Sequence, residues 1–321
     1  MSQQTLQGQE VEEQFEQTWI AQYPVKKKTP EGIIEKADEI YTIKKGKKEI
    51  KPTYWVASSG GGDSMSVAHL LHKEGRLAGV FHIEIPGGVK ETTEFLALVP
   101  KKFGWRLEIR NPYPKYIMVA LVLETGFPSP FLHPMYMREL KQKTMAKFVQ
   151  EKEIRESNGV LVTGIRKFES KRRLGNFKYP IQVDDRKTRF VCPIFYWKDQ
   201  EKYEYQLENK VNITPVHKKL GHSGECPCGS FAHRNENVLW NQADPHSALF
   251  LKWLEFGAKH FGTETAQKYC KWGGDGMTEA EAQTFLDNFY TKQERASLKM
   301  IEEIICGIEC GPGTMRGLLG V

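Results

Sequence analysis

An apolar stretch, a cluster of glycines and an amphipathic segment follow one another over residues 55–72, and no other part of the sequence constrains the fold as strongly. Residues 55–57 are typical of a buried strand, and residues 65–72 have the spacing of a helix. Consecutive glycines at such a junction allow left-handed backbone, so that N–H groups can converge on an anion at the positive end of the helix. The order therefore predicts a phosphate-binding loop.

The loop offers both candidate ligands and a simpler alternative. Asp63 is placed to cap the helix or to reach a metal ion. If the loop is an ordinary turn, Asp63 or Ser64 is only the N-cap of the helix. The predicted phosphate contacts are Ser59, Gly60, Gly61, Gly62 and Ser64.

Four further apolar stretches continue the strand pattern, over residues 78–83, 105–109, 160–164 and 190–194. Strands that alternate with helices pair in parallel through right-handed crossovers. We therefore predict an α/β fold with a doubly wound, mostly parallel five-stranded sheet. Its ligand crevice should lie at the carboxyl ends of the strands.

Three regions are predicted along the chain. Residues 1–48 are expected to be a helical N-terminal extension, with helices over residues 1–24 and 30–41; Thr29 caps the second helix and Pro30 occupies its first position. Residues 49–215 form the α/β domain, which includes a long helix over residues 135–152. Residues 216–321 form a helical region rich in cysteine.

Composition narrows the class of protein. The 321 residues are 40% hydrophobic and 27% charged, which is typical of soluble globular proteins. No apolar run is long enough to span a bilayer and residues 1–30 lack a signal-peptide core, so we expect a cytoplasmic protein with no membrane partner. The net charge of +6 suits a nucleotide or nucleic acid but is modest for a dedicated DNA-binding protein.

A second chemically rich segment, residues 164–173, follows the fourth predicted strand. Gly164 would permit close approach of a nucleotide, Arg166 would bind a phosphate through two N–H groups, and Glu169 would hold a neighbouring arginine. The alternative is the charged start of a surface helix. Because the carboxyl ends of parallel strands meet at one edge of a sheet, the glycine loop favours the binding site.

Four of the six cysteines fall into two close pairs in the C-terminal third of the chain. In a reducing compartment such pairs are more often metal or cluster ligands, or redox-active thiols, than disulfides. The pairs are Cys226 with Cys228 and Cys306 with Cys310.

Residues 59–64 resemble the Ser-Gly-Gly-Lys-Asp-Ser loop of the adenine-nucleotide alpha-hydrolases, or PP-loop ATP pyrophosphatases. Residues 164–173 are similar to the Gly-x-Arg-x-x-Glu-Ser-x-x-Arg segment of the phosphoadenosine phosphosulfate (PAPS) reductase branch, and residues 193–197 to its Pro-Ile-x-x-Trp stretch. The resemblance implies an enzyme that binds ATP, or a nucleotide like PAPS or adenylylsulfate, with Mg²⁺. It also implies catalytic roles for Asp63, Arg166 and Arg173, and nucleotide contacts from Phe81, His82, Ile83, Gly164, Glu169 and Ser170.

One departure from this family concerns charge. Gly62 stands where the family loop has lysine, which weakens phosphate binding unless Arg166, Lys167 or Arg173 replaces the charge. Two functions therefore stay open. One is an ATP pyrophosphatase-like sulfurtransferase that adenylylates an acceptor; the other is a catalytically weakened nucleotide-binding subunit of a modification or defence complex.

Residues 223–231 resemble the Gly-Glu-Cys-x-Cys-Gly segment of PAPS reductase-like proteins found near phage and DNA-modification genes, including DNA phosphorothioation sulfurtransferases. The resemblance implies a [4Fe–4S] cluster, with a four-thiolate zinc site as the alternative. The expected partners are a sulfur donor such as a cysteine desulfurase, a DNA or RNA acceptor and a second copy of the chain in a homodimer. The implied ligands are Cys226, Cys228, Cys306 and Cys310.

A different interpretation of the C-terminus is also open. Residues 309–311 match the Glu-Cys-Gly of thioredoxin-dependent PAPS reductases, whose cysteine attacks the sulfonate. In this sequence Pro312 and Gly313 follow where the family has Leu or Ile and then His. That departure disfavours a PAPS or adenylylsulfate reductase.

Overall fold

A seven-stranded sheet organises the computed structural model, which describes residues 19–169, 178–232 and 236–291. The strand order is β1-β8-β9-β7-β4-β5-β6, and β2 and β3 form a separate hairpin. The strands are β1 Trp19–Tyr23, β2 Ile43–Lys45, β3 Lys48–Ile50, β4 Thr53–Ala57, β5 Leu77–Ile83, β6 Leu107–Arg110, β7 Gly159–Val162, β8 Ile181–Asp184 and β9 Arg189–Val191.

The five strands expected from the sequence are all present as β4, β5, β6, β7 and β9, and they pair in parallel. The predicted α/β fold with a mostly parallel sheet is therefore confirmed. The chain builds β4, β5 and β6 in one direction and then returns to place β7 on the other side of β4. This reversal makes the carboxyl ends of β4 and β7 the switch point at which doubly wound sheets bind ligands.

Two strands at one edge of the sheet are additional to those predicted. β8 pairs antiparallel with β9, and β1 pairs antiparallel with β8. The predicted helix over residues 1–24 is thus wrong from Trp19 onward, and its earlier residues lie outside the described part of the chain. The sequence of residues 19–23 is compatible with a strand or with the apolar face of a helix. It forms a strand because the edge of β8 is available for pairing.

The helices match most of the sequence expectations. The second predicted helix is found as α1, with the side chain of Thr29 accepting a hydrogen bond from Gly32 N at 3.2 Å. The remaining helices begin with α2 after the glycine loop, and a π-helical segment spans Arg138–Gln142. The bounds are α1 Pro30–Tyr41, α2 Gly62–Lys73, α3 Lys90–Phe103, α4 Ile117–Thr125, α5 His133–Met137, α6 Lys143–Gln150, α7 Lys152–Glu156, α8 Asp199–Glu208, α9 Val216–Leu220, α10 Glu236–Ala243, α11 Pro245–Phe261, α12 Glu264–Lys268 and α13 Glu279–Thr291.

The long helix expected over residues 135–152 is present as one helical run that ends at Gln150. The run consists of α5, a π-helical segment and α6, and the residues at both junctions keep right-handed helical dihedral angles. Such a wide turn changes the direction in which side chains leave a helix. Here it contains Lys141, whose ammonium group lies 3.0 Å from the Glu225 carboxylate in the cysteine-containing loop.

Both faces of the sheet are covered by apolar packing. Consecutive residues of β4 point in opposite directions: Tyr54 and Val56 pack towards α1 and α2, whereas Trp55 packs with Phe81 and Phe148. This alternation is the expected geometry of a buried strand. In the described part of the chain no helix is long and apolar enough to cross a membrane.

We predict that Gly79→Ala lowers the free energy of unfolding by about 1–3 kcal/mol, because a methyl group there overlaps the Trp55 ring and lies 2.9 Å from Arg106 O. Gly257→Ala in α11 is the matched control, since its methyl group would meet only Leu123 Cδ2 at 3.5 Å. The control should be neutral or stabilising by up to about 1 kcal/mol. Urea unfolding midpoints measure both, and equal midpoints would contradict the packing of β5 against β4.

Candidate active site

Serine hydroxyl groups organise the glycine loop between β4 and α2. Ser58 Oγ accepts a hydrogen bond from Gly60 N at 3.1 Å and lies 3.1 Å from Ser64 Oγ. Ser59 Oγ accepts one from Gly61 N at 3.4 Å. Gly60 has a φ of +75°, a left-handed conformation that glycine adopts without strain. The loop is therefore a tight turn whose backbone lies close to the start of α2.

Helix α2 starts without a side-chain cap, because its N-cap residue is Gly61. Ser64 Oγ donates a hydrogen bond to Gly61 O at 3.1 Å. The Asp63 carboxylate instead accepts a hydrogen bond from Arg166 Nε at 2.7 Å. The alternative in which Asp63 or Ser64 is simply the N-cap is thus wrong.

Arg166 is held between two carboxylates at the switch point. Its side chain is only 3% exposed; its Nε contacts Asp63 and its Nη2 lies 2.9 Å from Asp199 Oδ1. Lys202 Nζ lies 3.6 Å from Asp199 Oδ1 and 4.0 Å from Asp63 Oδ1. We call these four residues the charged cluster. It joins the start of α2, the loop after β7 and the first turn of α8.

The two carboxylates compensate for the burial of the guanidinium. Burial alone would lower the pKa of Arg166, but Asp63 and then Asp199 raise it above its ordinary value. The positive charge of Arg166 in turn lowers the pKa of Asp199. The cluster therefore combines two basic and two acidic side chains linked by contacts of at most 4.0 Å.

Gly164 permits a close approach, but to protein backbone. A methyl group at this position would lie 2.6 Å from the Asp63 carbonyl carbon and 2.7 Å from Ser64 N. The loop after β7 therefore packs directly on the first turn of α2. In the same loop Glu169 N donates a hydrogen bond to Arg166 O at 3.3 Å. The predicted site residues Ser170 and Arg173 lie outside the described residues.

The position of the missing loop lysine is covered by a glutamine from α8. A methyl group on Gly62 would lie 2.7 Å from Gln206 Nε2. That amide nitrogen donates a hydrogen bond to Ser66 Oγ at 3.0 Å, which holds it over the first turn of α2. The nearest cation that α8 supplies is Lys202 of the charged cluster. The amide of Gln206 thus occupies the space in which a lysine side chain at position 62 would lie, and Lys202 of α8 supplies a nearby positive charge.

Sequence reasoning missed the contribution of α8. Asp199 and Lys202 follow Trp197, the last residue of the recognised Pro-Ile-x-x-Trp stretch, by two and five positions. That stretch was the available signal, because it lies next to the helix that reaches the glycine loop. Charge alone could not identify these residues, since α8 is rich in exposed polar side chains.

The residues expected near the adenine lie at the end of β5. Phe81 is fully buried and stacks on Phe148 with ring centroids 4.2 Å apart. His82 is also buried, with Nδ1 2.9 Å from Ser58 O and Nε2 3.4 Å from Thr93 Oγ1. The side chain of Ile83 is 5% exposed. Of these side chains, His82 contacts the start of the glycine loop through Ser58 O. An adenine contact from this strand stays a prediction.

Hydrogen bonds connect the glycine loop to the cysteine-containing loop. Thr214 N donates to Gly60 O at 2.9 Å, and Thr214 Oγ1 lies 3.2 Å from Thr92 Oγ1. Thr92 Oγ1 donates to Ser223 O at 2.5 Å. Ser223 stands three positions before Cys226, so three hydrogen bonds join two segments that are far apart in sequence. We call this path the threonine bridge.

Cys226 and Cys228 form a partly enclosed thiol pair next to Lys141. Cys228 Sγ lies 3.6 Å from His133 Nδ1 and accepts a hydrogen bond from Ser230 Oγ at 3.4 Å. The hydrogen bond between the two thiols lowers the pKa of Cys228 well below its ordinary value and raises that of Cys226. Burial alone would lower the pKa of Lys141, but Glu225 and then Cys226 raise it above its ordinary value. The environment therefore favours one thiolate beside an ammonium group.

This donor set fits half of a four-thiolate site. Two adjacent sulfur atoms next to a cation suit an anionic metal–thiolate centre, and Trp272 Nε1 fixes the loop by donating to Pro227 O at 2.8 Å. No group of three or more metal-binding side chains occurs within residues 19–169, 178–232 and 236–291. Cys306 and Cys310, the other two predicted ligands, lie outside those ranges.

Comparison with known families gives a match over residues 53–228 to the model described as the phosphoadenosine phosphosulfate reductase domain. The matched range begins with β4 and ends at Cys228, so it contains the glycine loop, the charged cluster and the first cysteine pair. No curated protein matches the chain.

Three solved structures illustrate the likeness to known folds. A phosphoadenylyl-sulfate (PAPS) reductase from Candida auris, in a phosphate complex, is 14% identical, with 59% of this chain and 84% of that chain covered and a TM-score of 0.42. The U34-tRNA thiolase NcsA from Methanococcus maripaludis with its [4Fe-4S] cluster is 13% identical, with 72% and 80% covered and a TM-score of 0.36. The FMN adenylyltransferase from Candida glabrata, in complex with FMN and the ATP analogue AMPCPP, is 13% identical, with 52% of each chain covered and a TM-score of 0.34.

We predict that Asp63→Ala lowers the free energy of unfolding by about 1–3 kcal/mol, because it removes one of the two carboxylates that hold a buried guanidinium. The matched control, Asp199→Ala, removes the carboxylate whose side chain is 69% exposed, and should cost less than about 1 kcal/mol. Thermal or urea unfolding measures both variants. A larger loss in Asp199→Ala than in Asp63→Ala would contradict this assignment of the charged cluster.

Proposed function

Because the chain belongs to the phosphoadenosine phosphosulfate reductase domain family, we propose that it is a nucleotide-dependent enzyme that activates an acceptor by adenylylation for sulfur transfer. The observation that carries the proposal is the threonine bridge, which joins a phosphate-type glycine loop to a thiol pair at one edge of the sheet. Nucleotide activation and sulfur chemistry need such proximity, because the sulfur nucleophile must react with the activated acceptor faster than water hydrolyses it.

The chemistry assigned to the nucleotide side is substitution at the α-phosphorus of ATP. An acceptor oxygen attacks the α-phosphorus, the bond to the bridging α–β oxygen breaks, and pyrophosphate leaves with the electron pair. Arg166 and Lys202 would stabilise the negative charge that grows on the phosphates. Asp63 and Asp199 are the nearby carboxylates for a Mg²⁺ ion that arrives with the nucleotide, since Mg²⁺ is commonly held by one or two carboxylates together with phosphate oxygens.

The second half of the reaction replaces the adenylyl group. A sulfur nucleophile at the oxidation level of sulfide attacks the activated acceptor atom, a bond to sulfur forms, and AMP leaves. Cys226 and Cys228 would hold the metal centre together with Cys306 and Cys310. A [4Fe–4S] cluster held there by four thiolates would supply a one-electron redox centre beside the sulfur chemistry. The thiolate environment beside Lys141 supports this role for the pair.

A nucleic acid is the proposed acceptor, and a separate protein such as a cysteine desulfurase is the sulfur source. A cellular thiol is the two-electron reductant that converts the desulfurase persulfide into sulfide and is itself oxidised to a disulfide. The resemblance of residues 223–231 to proteins of DNA modification supports this choice, and the net charge of +6 is compatible with it.

A second candidate function is supported by one observation, the amide of Gln206 over Gly62. If this amide excludes the triphosphate, the chain is a nucleotide-binding subunit that has lost most of its catalytic power. A monophosphate or a smaller adenylyl compound would then fit better than ATP.

The proposed function predicts pyrophosphate release from ATP and Mg²⁺ by the full chain, stimulated by the acceptor nucleic acid. Lys202→Met should reduce the rate by about 10- to 100-fold, because it removes a charge that faces the phosphates. Lys252→Met, in an exposed part of α11, is the control and should leave the rate unchanged. A coupled assay for pyrophosphate measures the rates. Nucleotide binding without pyrophosphate release, whichever acceptor is added, would favour the second candidate.

A second prediction tests whether Gln206 occupies the space that a lysine side chain at position 62 would need. Gly62→Lys alone should bind ATP no better than the natural chain, because its side chain meets Gln206 Nε2. Gly62→Lys with Gln206→Ala should bind ATP about tenfold or more tightly, since the added charge then has room. Gln206→Ala alone is the control. Calorimetric titration measures the affinities, and purely additive effects of the two substitutions would contradict the coupling.

The cysteine pair makes a separate prediction about metal. Cys228→Ala should lower the iron content of anaerobically purified protein and abolish sulfur transfer, while acceptor-stimulated pyrophosphate release continues, because its thiol lies in the cysteine loop and not at the glycine loop. Cys270→Ala is the control and should change neither property. Elemental analysis and the two activity assays decide. If the natural chain contains zinc and no iron, the site is structural. An unchanged metal content in Cys228→Ala would contradict the ligand assignment.

A further inference from the structure

A basic cavity of about 140 Å³ lies at the sheet edge opposite the candidate active site. Gly159 and Arg189 are the first residues of β7 and β9, which run parallel, so the cavity is at the amino ends of strands whose carboxyl ends meet the active site. It is therefore distinct from the glycine loop. Its lining residues are Val149, Gln150, Arg155, Gly159, Lys187 and Arg189.

Arg189 is a half-buried cation held by neutral groups. Its Nη1 donates to Asn158 Oδ1 at 2.6 Å and its Nη2 to Gly159 O at 2.8 Å. The Tyr41 ring centroid lies 5.2 Å from its Cζ atom. These two hydrogen bonds use two of the five N–H groups of a guanidinium and leave its charge without compensation from either acceptor. Burial accordingly lowers the pKa of Arg189. An anion in the cavity would reverse this cost.

Lys187 is presented to the cavity by a rigid turn. Asp184 Oδ1 accepts hydrogen bonds from Arg186 N at 3.0 Å and from Thr188 N at 2.7 Å, so this carboxylate organises the turn backbone. Lys187 adopts a φ of +62° at the tip. This conformation is uncommon for a residue with a side chain, so the turn accepts some strain where the lysine is placed.

Arg155 of α7 completes a set of three cations from three elements. Arg155 and Lys187 are exposed, whereas Arg189 lies deeper. The described residues that line the cavity include no carboxylate. Three cations that line one cavity, with the guanidinium of Arg189 the least exposed of them, are suited to a tetrahedral oxyanion.

We propose that this cavity is a binding site for a phosphate group, separate from the nucleotide site. The phosphate belongs either to a free phosphate or phosphomonoester, or to the backbone of a nucleic acid. Arg189 would bind it through its fork of N–H groups, and Arg155 and Lys187 would contact the outer oxygens. The proposal rests on the cavity and its charges, and it holds whether or not the chain releases pyrophosphate from ATP.

The test compares the natural full-length chain with Arg155→Ala/Lys187→Gly. Glycine accepts the φ of residue 187 and alanine suits a helix, so this variant should fold. Lys252→Ala/Lys271→Ala makes the same charge change at exposed lysines outside the cavity lining and is the matched control. All three are saturated with ATP and Mg²⁺, and equal melting temperatures establish that they are folded. The probes are inorganic phosphate, followed by ³¹P NMR, and a labelled single-stranded DNA, followed by fluorescence anisotropy.

We expect the cavity variant to bind at least one probe about tenfold or more weakly than the control, because two cations that face the anion are lost. Weaker binding of inorganic phosphate alone would assign the site to free phosphate or a monoester. Weaker binding of the DNA, with or without phosphate, would assign it to a nucleic-acid backbone and should reduce the salt dependence of DNA binding. Equal affinities of cavity variant and control for both probes, or no binding of either probe to the natural chain, would overturn the proposal.

Discussion

The contact of Arg166 with two carboxylates is the interaction on which the arrangement of the site depends. Asp63 belongs to the first turn of α2, Asp199 to the first turn of α8, and Arg166 to the loop after β7. For a guanidinium that is 3% exposed, Asp63 and then Asp199 offset the cost of burial. The contacts of Arg166 therefore join three elements, together with the hydrogen bond between Gln206 and Ser66 and the packing of Gly164 on the first turn of α2.

The same clamp explains how the glycine loop tolerates the loss of its lysine. Arg166 contacts both α2 and α8; Gln206 of α8 lies over Gly62, and Lys202 Nζ of the same helix lies 4.0 Å from Asp63 Oδ1. Positive charge is thus supplied by a neighbouring helix and no longer by the loop itself. On the other side the threonine bridge holds the cysteine loop in a fixed relation to Gly60. The proposed enzyme accordingly has its nucleotide-binding and thiol elements on one rigid edge.

Strong local patterns were sufficient for most of the fold. The five parallel strands are apolar runs between helical segments, and α1 has a cap and a first-turn proline that specify its start. Strand β1 and the π-helical segment before α6 were not predictable in this way. The run at residues 19–23 fits two periodicities. The π-helical segment contains Lys141, whose partner Glu225 lies 84 positions later in the sequence.

By itself the sequence determined the class of fold, the glycine loop and the placement of residues 164–169 near that loop. These follow from periodicity, from glycine conformations and from the rule that ligands bind at the carboxyl ends of parallel strands. Only the tertiary structure decided that Asp63 pairs with Arg166, that Gly164 approaches backbone, and that α8 supplies Lys202. The basic cavity at the opposite edge likewise needs β7, β9 and α7 to come together. Contacts between distant segments depend on packing geometry, which no local pattern of residues contains.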